Sequence, residues 1–116
     1  MFWPYPTDAC PKPHPWVVVS CTVRGMVLLV NVTDEENYPE SPCKIAIGEH
    51  PDVIKPSVIK YPEATEMPER EMKSTISRGI NVRHCADVTP ALLAKILAGV
   101  RSCGDMDPVL KRKYGF

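Results

Sequence analysis

The chain is poor in several things at once. Aromatic residues make up 7% of its 116 positions, histidine occurs three times, glycine six times, and 14 acidic residues cancel 14 basic ones. A net charge of zero argues against a protein held to nucleic acid by bulk charge alone. No run approaches the ~20 apolar residues that a spanning helix needs. The longest candidate, Trp16 to Val32, is interrupted by Ser20, Thr22, Arg24 and Asn31, so no membrane association is expected. No apolar segment follows a basic start, and no secretory signal is expected either. The five cysteines (Cys10, Cys21, Cys43, Cys85, Cys103) form no C-x-x-C pair, and no histidines stand at finger-type spacing. An odd thiol count of this kind fits a reduced, cytoplasmic protein with no metal and no cofactor.

What the chain has in plenty is proline, 13 residues, of which Pro4, Pro6, Pro11, Pro13 and Pro15 fall in the first fifteen positions. Residues 1–15 therefore read as an irregular or polyproline-like arm, made adhesive by Phe2, Trp3 and Tyr5. The remaining length suits one domain with its own core, over residues 16–104, followed by a basic tail at 105–116 that is either disordered or laid along a basic side. Charge is unevenly placed. Between Asp34 and Glu71 stand ten acids and four bases, a net of −6, which leaves +6 elsewhere. This implies either one basic side or a solvated exterior with scattered charges.

The pattern predicts an α+β fold, mainly β. Trp16 to Val23 and Met26 to Thr33 are β-branched-rich runs joined by Arg24-Gly25, a hairpin signal. Both runs are apolar at nearly every position, so the hairpin should be central and covered on both faces. Short extended runs follow at Cys43–Ile47 and around Pro56, where proline dictates an edge strand or two short pieces. Thr65 to Arg78 reads as a helix with Pro68 in its first turn. Thr89 to Gly104 is the clearest element, an amphipathic helix with Thr89 as N-cap, Pro90 at the first position and an apolar stripe of Leu92, Leu93, Ile96, Leu97 and Val100.

The stretch from Lys12 through Pro13, His14, Pro15 and Trp16 to Ser20, the returning run Val27 to Thr33, and the ending Asp87 to Ile96 together resemble the MazF/PemK family of toxin–antitoxin endoribonucleases. The resemblance implies an SH3-like twisted antiparallel barrel with a C-terminal amphipathic helix, a homodimer, single-stranded RNA as substrate, cleavage without metal and an antitoxin protein as partner. It also implies catalytic positions. Lys12 matches the family's basic residue before proline, Thr33 its strand-end threonine, and His14 lies two residues from Lys12 as a proton-transfer group. Arg83, Arg24 and Trp16 are the candidate RNA contacts, guanidinium for phosphate and indole for base stacking. Lysine stands where the family carries arginine, and an ammonium lacks the bidentate fork that grips phosphate. A catalytically silent domain of the same fold, binding a protein partner or a small ligand, is the alternative reading. Two other features are weaker. His50 beside Glu49 offers an acid–base pair within a Gly48–Pro51 turn, and the adjacent His84 and Cys85 are poorly placed to oppose one another as a nucleophile pair.

Overall fold

A computed structural model describes residues 2–4, 14–78, 82–84 and 87–116, with backbone alone for 2–4, 74–78 and 82–84. Along the chain run strands β1 (Phe2–Pro4), β2 (Trp16–Val18), β3 (Met26–Asp34), β4 (Lys44–Ile45), β5 (Ser57–Ile59) and β6 (Thr65–Pro68), helix α1 (Glu69–Arg78), β7 (Val82–His84), then α2 (Pro90–Ser102) and α3 (Pro108–Lys113). All strand pairings are antiparallel, in the order β4-β5-β3-β2-β1-β7, with β6 also against β3. The molecule is a small α+β fold.

Everything is organised on β3, whose nine residues are buried at every position but the ends. Successive side chains of a strand point to opposite faces, so an unbroken apolar run must be covered twice. Leu28, Val30 and Val32 join Val17, Val19, Ile45, Ile59 and Tyr61 under Leu92, Ile96 and Val100 of α2. Val27 and Leu29 turn the other way, into a smaller cluster with Trp16, Val18, Met67 and Met72 of α1. Central placement with two covered faces agrees with the sequence pattern.

The hairpin turn is also as the sequence implies. Arg24 and Gly25 both have positive φ, 51° and 77°, the two-residue geometry whose twist matches a right-handed ribbon. Val23 and Met26 exchange both backbone hydrogen bonds across it, at 2.8 and 3.0 Å. Between tip and base the first strand bulges: the chain takes five steps from Val18 to Val23 while its partner takes three from Leu29 to Met26. At the bulge the Ser20 hydroxyl accepts from Leu28 N at 2.9 Å, replacing a backbone carbonyl.

Closure into a barrel is not observed. Among the described residues β4 and β7 end the ladder without pairing to each other. The far edge of β3 is divided, with β6 along Met26–Leu29 and β5 along Val32–Asp34, so the sheet forks into two wings instead of wrapping round. Three local expectations change as well. Phe2–Pro4 is a strand, paired to β2 and β7, because its donors precede the proline that ends it. Thr65–Pro68 is β6, and the helix begins only at Glu69, because pairing with the long β3 overrides the local helical signal. The segment around Pro56 yields one strand, β5, and it lies inside the sheet between β4 and β3.

Helix α2 forms as its caps dictate, with Thr89 Oγ1 accepting from Leu92 N at 3.1 Å. Its distance from the sheet is set by a close approach. The fully buried Tyr61 donates its hydroxyl to the Ile96 carbonyl at 2.8 Å, and a Cβ on Gly99 would stand 1.9 Å from the Tyr61 hydroxyl oxygen. Residues 105–116 are folded onto the core. Asp107 caps α3 through Val109 N at 2.9 Å, Met106 is buried, and Leu110, Tyr114 and Phe116 pack against the main cluster. Lys111 donates to the Arg101 and Cys103 carbonyls at the end of α2, at 3.2 and 3.0 Å. Cys21, Cys43 and Cys103 are free thiols, the last two buried. Among the described residues no helix is long and apolar enough to cross a membrane.

Candidate active site

The second face of β3 is apolar only for half its length. Beyond Val27 and Leu29 the same side of the strand carries Asn31 and Thr33, both buried. The register sets their neighbours. Trp16 lies directly across from Asn31 on one side. On the other, Lys60 N donates to the Asn31 carbonyl at 3.1 Å, which continues the β5 ladder and brings Lys60 level with Asn31. Residues directly opposite share a face, so Trp16, Asn31 and Lys60 form one row across the sheet. One step beyond β2, Val32 N donates to the Pro15 carbonyl at 2.9 Å, which sets His14 at the level of Thr33.

Glu63 completes the group, and the way it arrives follows from alternation. Ile59 and Tyr61 are drawn into the main core while Lys60 between them faces the other way. Tyr61 then opens a short 3-10 turn, Tyr61–Glu63, with Pro62 near its start. Its last residue swings back over the row. Asn31 Nδ2 donates to Glu63 Oε2 at 2.5 Å, and Lys60 Nζ lies 3.0 Å from Glu63 Oε1. The Asn31 hydrogen bond above all, then the Lys60 ammonium, and in lesser part the nearby His14, hold the Glu63 carboxyl below the usual range against a partial loss of solvent. Glu63 is thus a carboxylate at neutral pH, with a histidine and a lysine within electrostatic reach. Asn31 Oδ1, in contrast, is buried without a hydrogen-bond partner among the described residues.

The residues singled out from sequence fall in three groups. His14 and Trp16 belong to this cluster, both half-buried, with Trp16 also covering Val27 and Leu29. Thr33 shares the face, but its Oγ1 accepts from Asn37 Nδ2 at 3.0 Å and ties down the 3-10 turn Glu35–Asn37. Arg24 sits exposed at the hairpin tip. It lies seven residue steps from Asn31 along the strand direction, roughly 20 Å at ~3.3 Å per residue, so it is not brought to the cluster. Lys12 lies outside the described residues. Arg83 is placed by its backbone, opposite Trp3 on β7. Glu49 and His50 each have partners of their own. Glu49 accepts from Ala46 N at 2.9 Å and from Lys95 at 3.0 Å, while the buried His50 accepts through Nδ1 from Asp52 N at 3.0 Å.

Sequence reading passed over Asn31, Lys60 and Glu63. One carboxamide inside MVLLVNVT was the visible signal, since burying an amide in a strand core has a free-energy cost and asks for a reason. Elsewhere, an open groove of about 480 Å³ runs beside β4, floored by Ile45, Ala46 and Ile47 and flanked by the ion-paired Lys44 and Lys95. Among the described residues no three His, Cys, Asp or Glu side chains are grouped for a metal ion. No family model, curated protein or solved structure matches the chain.

Proposed function

We propose that this protein cleaves single-stranded RNA in the manner of a divergent MazF/PemK-like endoribonuclease, with its open sheet a relative of the SH3-like barrel. The observation that supports this reading is the gathering of His14, Lys60 and Glu63 around a buried Asn31, beside the indole of Trp16. RNA transesterification needs a base for the ribose 2′-OH, charge to stabilise the phosphorane and an acid for the departing 5′ oxygen. Glu63, held ionised, takes the 2′-OH proton as that oxygen attacks phosphorus. His14 gives a proton to the leaving 5′ oxygen, and the ends are a cyclic phosphate and a free hydroxyl. Lys60 balances the developing negative charge, with Lys12 and Arg83 as further cations. Trp16 offers a face on which a base stacks. Thr33 keeps the strand end and its turn in place. A homodimer, an antitoxin partner and a cytoplasmic setting belong to the same proposal.

The test is cleavage of a mixed-sequence single-stranded RNA in EDTA by wild type, Glu63→Gln, His14→Ala and Lys12→Ala. Cutting in EDTA that falls by roughly 10²–10⁴ in Glu63→Gln and His14→Ala, with the fold intact by circular dichroism, is the expected result. Binding without cutting indicates a silent RNA-binding domain. If RNA is neither bound nor cut, the groove beside β4 becomes the better site, since its volume and apolar floor suit a small ligand or a side chain of a protein partner.

A further inference from the structure

We propose that Asn31 is a positioning residue for this chemistry: it aims the Glu63 carboxylate through one hydrogen bond, and it is kept at the expense of an unsatisfied buried oxygen. The inference rests on the ribonuclease reading for its catalytic meaning and on geometry for the rest. Asn31 is 2% exposed and stands in a strand whose other interior positions are Val, Leu and Thr. Its Nδ2 is engaged by Glu63 Oε2 at 2.5 Å, which also fixes the amide orientation, because a carboxylate can only accept. Oδ1 has no hydrogen-bond partner among the described residues. For stability, an apolar residue of similar size is the better choice at such a site, since it removes both the orphaned acceptor and the need to desolvate an amide. The presence of asparagine is therefore explained by what its donor does, which among the described residues is to hold Glu63.

That group is otherwise half-exposed and free to rotate. Lys60 grips the other oxygen, but a lysine on the surface is a flexible partner. The buried amide, fixed by β2 and β5 on either side, is the rigid one. It sets both the direction of Oε2 and the preference of the carboxyl for its ionised form.

The variants that test this are Asn31→Leu, which removes the donor, and Asn31→Asp, which keeps the shape and replaces the donor with a second acid. Two readouts separate the proposal from the reading beneath it. The first is the titration of the Glu63 carboxyl by carbon-detected NMR, which needs no substrate. The second is the pH profile of RNA cleavage. In Asn31→Leu the Glu63 carboxyl is expected to titrate at higher pH than in wild type, with melting temperature unchanged or raised. Cleavage should fall by about ten- to a hundredfold, with its acid limb displaced the same way. Asn31→Asp should move the titration further in that direction, since two carboxyls then share the site. A Glu63 titration unmoved in both variants overturns the proposal, whether or not the wild type cuts RNA. If the titration moves but an active wild type keeps its rate and profile in both variants, the positioning role is overturned while the ribonuclease reading stands. If wild type does not cut, that reading falls and the titration decides whether Asn31 holds the carboxylate.

Discussion

The two faces of β3 are built from one continuous stretch of sequence and solve opposite problems. Towards α2, every inward residue from Leu28 to Val32 meets another apolar side chain, and the surface closes under Leu92, Ile96, Val100 and Met106. Towards the other side the same strand starts apolar with Val27 and Leu29 and then turns polar at Asn31 and Thr33. One face is tuned for packing and tolerates no unmet polar group. The other carries a buried amide with an orphaned oxygen, a carboxylate, a lysine and a histidine. On the proposed function, packing and chemistry are thus divided by the alternation of one strand, and substitutions on the α2 side should leave cleavage per folded molecule untouched.

The strongest way to break this division is on the α2 face. Ile96→Ala opens a cavity in a site with no exposure, and urea unfolding should show a loss of about 2–5 kcal/mol, while any RNA cleavage per folded molecule stays at the wild-type level. Glu63→Gln is the mirror experiment, with activity lost and unfolding little changed. A smaller effect is expected at the helix cap. Thr89→Ala removes the acceptor for Leu92 N, and the same denaturation should report a loss of about 1 kcal/mol with no change in cleavage.

The smallest effect concerns acid. Glu63 is held below its ordinary value of 4.5 by Asn31 first and Lys60 after it. A carboxyl depressed in the folded state contributes stability that is fully present above that ordinary value and is lost as pH falls through the lower, folded one. Glu66, held down by Lys113 and Tyr114, and Glu49, held down by Ala46 N and Lys95, act in the same direction. Melting temperature should therefore be level near neutrality and decline below about pH 4.5, and the decline should be shallower in Glu63→Gln. A decline of equal slope in the two proteins would remove Glu63 from the account.

Much of the fold could be read from local signals because the relevant physics is local. The Arg24-Gly25 turn needs only positive φ at two positions, and α2 needs Thr89, Pro90 and a stripe at helical spacing. What was illegible depends on pairing over distance. Thr65–Pro68 has helix-like neighbours, yet β3 claims it as a strand. The open ends of the sheet follow from two strands competing for one edge of β3, which no single segment announces. At the candidate site, His14 and Trp16 drew notice as residue types, but Glu63 is 32 residues from Asn31 in sequence, and only the buried Tyr61 explains why the turn carries it back.

The bulge after Val19 has a consequence for how this chain can vary. The base of the hairpin is locked by Val17 and Val19 in the core, the tip by Arg24 and Gly25, and the two are joined by exposed residues, Cys21 and Thr22. Ser20 already supplies from its side chain what a continuous strand would supply from its backbone. The hairpin therefore works as two independently registered pieces with a splice between them. Residues gained or lost at the splice would enlarge or flatten the bulge and leave the order of every core side chain as it is.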